Sequence, residues 1–184
     1  MKSAAEEARA AVQWWRDLQP YFSDGSRNPR ADRAALARLR RADLMGAMQD
    51  PATFALFRAL GRKRPEELPN VALCAAILAG VQPDDRRARE HLARTLGPPS
   101  IDAVEGAAMK RLRFRRLIEA ETPEDRLVML RRAVQLADRR LNVRELAAAC
   151  LDWSDGRRQY WIFEYYNAGF AAPASEPTSQ DAAV

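Results

Sequence analysis

Apolar residues recur at helical spacing along nearly the whole chain, and no segment shows the sustained apolar–polar alternation of a half-buried strand. The connections between these segments contain helix-breaking residues, as in the Pro-, Gly- and Asn-containing stretch 20–29. This pattern predicts an all-α protein, a compact helical bundle of about eight to nine helices in which residues 1–169 form a single domain. The small residues, Pro and Ser of segment 170–184 predict a disordered C-terminal tail.

Capping signals and apolar spacing together place nine helices. Asp32, Asp50, Thr122 and Asn142 stand where a side chain is expected to cap a helix N-terminus, and Pro51 suits a first helical turn. The first six helices are expected over about 4–18, 30–42, 51–60, 70–81, 85–96 and 102–121. Two more begin after Thr122 and Asn142, and the last covers about 155–167. The fourth is apolar almost all round and should be the most buried.

Aromatic residues concentrate in three of these helices, and the sequence favours the core for most of them. They are Trp14 and Trp15 in the first helix, Phe54 and Phe57 in the third, and Tyr160, Trp161, Phe163, Tyr165 and Tyr166 in the last. A buried aromatic side chain removes a large apolar area from water, which makes the core their commonest location. The alternative is that the two tryptophans and the last helix form surfaces for partner proteins.

Residues with the spacing needed for catalysis or for metal binding are absent from the sequence. His91 is the single histidine, Cys74 and Cys150 lie in apolar runs typical of reduced core cysteines, and no glycine-rich phosphate loop is present. The acidic residues stand mostly where first helical turns favour them. We therefore expect no enzyme activity, no metal and no cofactor, although a metal-dependent helical nuclease built from converging acids stays open.

The N-terminal segment is acidic and amphipathic, unlike a signal peptide, and the longest apolar run, 71–81, is too short to span a bilayer. These features predict a cytoplasmic protein with no membrane partner.

Arginine dominates the basic residues, with 27 arginines against three lysines, a net charge of +5 and a pI of about 9.7. One explanation is genomic, since arginine codons are rich in G and C. The other is functional, since guanidinium groups bind phosphates with two parallel hydrogen bonds and stack on bases. Both explanations can hold together.

The densest basic segment is 110–116, in which five of seven residues are basic. At 100° per residue, an apolar arc that includes Phe114 should be buried, with Arg113 and Arg116 on one flank and Arg111 and Arg115 on the other. A helix facing only water would more often mix charges, because like charges three or four residues apart repel. The segment therefore favours an anion-binding face over a merely solvated one.

Further basic residues are spread along the chain. Each alone is typical of a solvated helix face, but together they are consistent with a phosphate-binding track without sequence preference. They are Arg38, Arg40 and Arg41; Arg58, Arg62, Lys63 and Arg64; Arg94; Arg131 and Arg132; and Arg139 and Arg140.

The order of four motifs resembles the CasB family, the small helical subunit of the type I-E CRISPR surveillance complex Cascade. An early Arg-rich helix occupies 32–42, an element retaining Leu, Arg and Leu occupies 91–96, and two basic helices follow within 111–137. The stretch 142–153 and the aromatic helix after it are similar to the closing pair of helices of the family. The resemblance spans about Trp14 to Tyr166.

The resemblance implies a non-catalytic nucleic-acid-binding domain that contacts crRNA, target DNA and the displaced strand, and that stabilises the R-loop in antiviral defence. It implies two copies arranged head to tail, next to the large and backbone subunits of Cascade. The alternative is a protein–protein scaffold without nucleic-acid contact. Motif by motif, the resemblance assigns seven contacts: Arg40, Arg41, Arg94, Arg113, Arg116, Arg131 and Arg132.

Overall fold

The predicted helical architecture is confirmed by a computed structural model, which describes residues 3–21, 25–82, 91–99 and 105–166. Within these ranges the regular structure is helical, and the β-pairing consists of two isolated bridges, Tyr21 with Arg27 and Gln82 with Arg140. The α-helices are α1 Ala4–Leu18, α2 Arg33–Arg41, α3 Leu44–Gln49, α4 Pro51–Leu60, α5 Leu68–Leu78, α6 Leu92–Leu96, α7 Arg111–Ile118, α8 Pro123–Leu136, α9 Val143–Leu151 and α10 Asp155–Tyr166. A 3₁₀ turn, Pro65–Glu67, leads into α5.

Helix α5 is the centre of the bundle, as its apolar sequence predicts. Every residue from Val71 to Leu78 is buried, and α2, α3, α4, α8 and α9 all pack around it. Each large aliphatic side chain buried here contributes about 1.5–3 kcal/mol to stability. Cys74 of α5 and Cys150 of α9 are free and fully buried, and burial together with the nearby Cys74 thiol raises the pKa of Cys150. Both cysteines are thus core residues, as predicted.

The four predicted N-caps all form. The side chains of Asp32, Asp50, Thr122 and Asn142 accept hydrogen bonds from backbone N–H groups of the first helical turns, at 2.8 to 3.1 Å. These bonds satisfy donors that have no partner inside the helix. Such caps depend only on residues close in sequence, which explains why they could be read from the sequence.

One helix was missed, and one predicted start is wrong. The six-residue α3 has Asp43 as its N-cap, but it contains Gly46 and is too short to show a helical period. The helix expected from about residue 102 begins only at Arg111, because the backbone before it bonds elsewhere. Met109 N–H donates to the Leu96 carbonyl at 3.0 Å, and the Tyr165 hydroxyl donates to the Met109 carbonyl at 2.6 Å.

The expectation for the aromatic side chains was right for α1 and wrong for much of α10. Both tryptophans of α1 are buried, and so are Trp161 and Tyr165 of α10. The exposed aromatic residues are Tyr160, Phe163 and Tyr166 of α10 and Phe54 of α4. In α4 the buried face is set by Thr53, Leu56 and Leu60, and Phe54 falls outside it.

Two other predictions, and a short part of a third, fall on residues outside the described ranges. They are the C-terminal tail 170–184, the first part of the helix expected over 85–96, and residues 102–104 of the helix expected over 102–121, of which residues 105–110 are described and are not α-helical.

Candidate nucleic-acid interface

Three arginines line a cleft of about 100 Å³ between α2, α5 and α8. Arg40 reaches it from the end of α2, Arg131 from the middle of α8, and Arg139 from the turn after α8. The other lining residues are Ala76, Ile77, Gly80, Val134 and Gln135. In the described part of the chain, therefore, no carboxylate lines this cleft. An arginine-lined cleft of this kind is suited to an anionic group.

Helix C-termini hold two of the three guanidinium groups in place. Arg40 Nε donates to the Ala79 carbonyl just after α5 at 2.6 Å. Arg131 Nη2 donates to the carbonyls of Leu39 and Ala42, at the end of α2, at 3.0 and 2.6 Å. These carbonyls lack partners inside their helices, and the helix dipole favours a cation there. Since a guanidinium has five N–H groups, both arginines keep donors for a ligand.

The surroundings of the cleft disfavour positive charge. Burial lowers the pKa of Arg40, and the nearby charge of Arg139 lowers that pKa further. Burial also lowers the pKa of Arg131, against a smaller opposing effect of Asp43. Both groups stay protonated, since arginine does not lose its proton in proteins. A bound anion would offset the cost of desolvation and counter the repulsion between Arg40 and Arg139.

A strained turn sets the position of Arg139. Asp138 and Arg139 both have left-handed backbone conformations, with φ of 54° and 63°. The turn is fixed by two backbone bonds of 2.8 Å, from Gln82 N–H to the Arg139 carbonyl and from Arg139 N–H to the Val134 carbonyl. Residues other than glycine adopt this conformation at a cost of about 1–2 kcal/mol each. The strain is tolerated in the turn that carries Arg139 to the cleft.

Of the seven predicted contacts, Arg40 and Arg131 line the same cleft. Arg41 and Arg132 are their exposed sequence neighbours on α2 and α8. Arg139 was named only as part of a basic group and was not among the seven. Nothing in the sequence marks it, since no glycine signals the left-handed turn.

Helix α7 carries Arg113 and Arg116 on its exposed side, as the helical wheel predicts. Phe114 and Leu117 are buried beneath them. On the other flank, Arg115 is paired with Glu119 at 2.7 Å. Arg113 and Arg116 form no ion pair with a residue in the described ranges, so both are accessible to a phosphate.

Arg94 lies on α6, apart from the three-arginine cleft, and already has a carboxylate partner. Its Nε is 2.9 Å from Glu164 Oε2 of α10, while half of the Arg94 side chain stays exposed. His91 caps the same helix, since its Nδ1 accepts from Ala93 N–H at 3.1 Å and its Nε2 lies 3.0 Å from Glu145 Oε1. The lone histidine is thus a structural residue.

Several other arginines hold the fold together and are poor candidates for ligand contacts. Arg62 bridges Glu7 of α1 and Glu67, at 2.6 and 2.5 Å, and hydrogen bonding to Arg62 lowers the pKa of Glu67 to about 2. Arg38 pairs with the N-cap Asp50 at 2.8 Å. The count of arginines therefore overstates the charge that is free for a ligand.

The described ranges contain neither a cluster of metal ligands nor a membrane-spanning helix. No group of three or more His, Cys, Asp or Glu residues there is arranged to hold a metal ion. None of the helices described has both the length and the apolar character needed to cross a membrane.

Comparison with known proteins gives one family. The family described as CRISPR-associated protein Cse2 matches residues 35–166, well over half of the chain, and the match includes most of α2, all of α8 and the turn at Arg139. Neither the curated proteins nor the solved structures contain a match to this chain. The family match confirms the resemblance to CasB that the sequence motifs suggested. The chain therefore belongs to the Cse2 (CasB) family of CRISPR-associated proteins.

Proposed function

We propose that this chain is the non-catalytic small subunit of a type I-E Cascade complex, and that its basic surface binds crRNA, target DNA and the displaced strand to stabilise the R-loop. Family membership implies the role of a Cascade small subunit. The observation that carries the nucleic-acid part is the cleft of Arg40, Arg131 and Arg139, which is lined by cations and no described carboxylate.

The energetics of R-loop formation fit a protein of this kind. The RNA–DNA duplex that forms is about as stable as the DNA duplex that is lost, so contacts to the backbone decide the balance. Phosphate contacts from arginine act without sequence preference, as a subunit serving many guides requires. The accessible arginines of α7 and those of the cleft supply such contacts.

The remaining parts of the proposal follow from the family. Residues 1–169 act as one nucleic-acid-binding domain, which takes its place beside the large and backbone subunits and a second copy of itself. We assign no reaction and no metal or cofactor to this chain.

A salt titration of binding tests the proposal. The cleft variant carries Arg40→Gln and Arg139→Gln. The control carries Arg9→Gln and Arg58→Gln, which removes the same charge from exposed positions of α1 and α4. Fluorescence polarisation with a labelled 20-nucleotide single strand and with an RNA–DNA duplex gives the slope of log K against log salt. For the cleft variant, the magnitude of this slope should fall by about 0.7–0.9 for each arginine removed.

Melting temperatures of both variants establish that they are folded, since Arg40 also caps α5. Equal slopes for the cleft variant and the control would show that only net charge matters, and would remove the cleft from the proposal. No salt-dependent binding by the unmodified chain, alone or within Cascade, would overturn the proposed function as a whole.

A further inference from the structure

Helix α10 exposes a row of large apolar side chains that the fold does not use. The exposed fractions are 50% for Tyr160, 39% for Ile162, 59% for Phe163 and 43% for Tyr166. These four residues are called the aromatic face below. Water-exposed aromatic side chains in a group are uncommon on a stable fold and indicate a binding surface.

The four side chains form one continuous arc around α10. At 100° per residue, the buried Trp161 and Tyr165 are 40° apart and mark the side that faces the bundle. Going round the helix from Tyr165, the exposed side chains follow in the order Ile162, Tyr166, Phe163 and Tyr160. The aromatic face thus begins with Ile162 beside Tyr165 and ends with Tyr160, on the other side of the buried strip of α10.

The edge beside Tyr165 borders the basic helix α7. The Tyr165 ring stacks on Phe114 of α7 with centroids 3.8 Å apart and planes at 11°, and the Tyr166 ring meets Tyr165 edge-on at 5.1 Å. Arg111 lies three residues before Phe114 on α7, and therefore on the same side of that helix, and its positive charge opposes the rise in the pKa of Tyr165 that burial and Tyr166 cause. Arg111 therefore stands at this edge of the aromatic face.

The opposite edge borders α6 and Arg94. The Tyr160 ring packs edge-on against His91, with centroids 5.0 Å apart. Glu164, one turn after Tyr160, holds the half-exposed Arg94 at 2.9 Å. The aromatic face accordingly lies between an arginine of α6 and an arginine of α7.

We infer that the aromatic face of α10 is a stacking platform for the unpaired bases of a single strand, with Arg94 and Arg111 contacting its phosphates on either side. This inference rests on the proposed function and adds the part of the nucleic acid that is recognised. Bases stack on aromatic rings whatever their identity, and proteins that bind single strands combine such rings with a positively charged groove. The charge of Arg111 at one edge favours a polyanion over an uncharged partner, and at the other edge the exposed half of Arg94, which Glu164 holds in place, offers further N–H donors.

Abasic oligonucleotides separate stacking from phosphate binding. The test uses the full chain, a labelled 20-nucleotide thymidine strand and a strand of the same length without bases, at one salt concentration. The platform predicts tighter binding of the strand with bases, by about tenfold for each stacked base. The double variant Phe163→Leu and Tyr166→Leu keeps apolar side chains but removes two of the three exposed rings, and it should lose most of the preference for the strand with bases while its affinity for the abasic strand stays unchanged.

The matched control is Phe54→Leu, which removes an exposed ring from α4. It should leave the preference for bases unchanged. Equal affinity of the unmodified chain for both strands would refute the platform while leaving the proposed phosphate binding intact, and so would an unchanged preference in the double variant. No binding of either strand would overturn the platform and the proposed function together.

Discussion

Replacing Arg139 with glycine should stabilise the protein and weaken its binding of nucleic acid at the same time. Arg139 has φ of 63°, and a non-glycine residue in this conformation costs about 1–2 kcal/mol. Glycine removes this strain, but its greater freedom in the unfolded chain costs about 0.5–1 kcal/mol. The repulsion between Arg139 and Arg40 also disappears. The free energy of unfolding should therefore rise by about 0.5–1 kcal/mol.

For a chain of this length, that gain corresponds to a melting temperature about 1–4 °C higher. Binding should move in the opposite direction, since one phosphate contact is lost and the salt slope falls by about 0.7–0.9. The assays are thermal unfolding by circular dichroism and polarisation titrations at several salt concentrations. Few surface substitutions are expected to change these two properties in opposite senses.

Two control variants separate backbone strain from charge. Asp138→Gly relieves the neighbouring left-handed residue, with φ of 54°, and removes no cation, so it should stabilise without weakening binding. Arg140→Ala removes a cation that does not line the cleft, so its effect on the salt slope should be smaller than that of Arg139→Gly. A melting temperature of Arg139→Gly below that of the unmodified chain would refute the reasoning. An effect of Arg140→Ala on the salt slope as large as that of Arg139→Gly would refute it too.

Three further predictions concern α7, the ion-pair network and the contact between α7 and α10. Changing Arg113 and Arg116 to Ala should weaken R-loop formation by Cascade and reduce the salt slope of binding by the equivalent of up to about two phosphate contacts. Unchanged R-loop formation would contradict a nucleic-acid contact from α7. Glu67 has its pKa lowered to about 2, so its contribution is present above pH 4.5 and is lost as pH falls toward 2. Glu67→Gln should therefore cost about 1 kcal/mol at pH 7 and almost nothing near pH 2 in urea unfolding. Tyr165→Phe removes the hydroxyl that bonds the Met109 carbonyl and should cost about 1–3 kcal/mol of unfolding free energy, measured at neutral pH.

Features that depend on neighbouring residues were predicted well. The caps at Asp32, Asp50, Thr122 and Asn142 each need a side chain and a backbone group two or three residues away, so the sequence contains the whole interaction. The burial of α5 follows equally from its composition. The late start of α7 does not, because the Met109 carbonyl bonds to Tyr165, 56 residues further along the chain.

The aromatic residues of α10 show a second limit. An aromatic side chain has the same apolar body in a core and on a surface, so composition favoured the core for most of them. Only the position of α7 decides that Tyr165 is covered while Phe163 and Tyr166 are not. The exposure of the aromatic face therefore depends on long-range packing between helices, which the sequence of α10 alone does not show.

The density of basic residues along the chain was the strongest sequence signal, but it is a different property from their convergence in space. Helix α7 is dense in arginine, and its accessible arginines face solvent, where salt screens charges effectively. Arg40 and Arg131 are 91 positions apart in sequence and meet in a partly buried cleft, where screening is weaker. At high salt, the binding that remains should therefore depend more on the cleft than on α7. The sequence therefore reveals the arginine-rich helix α7, whereas only the fold reveals that Arg40, Arg131 and Arg139 line one cleft.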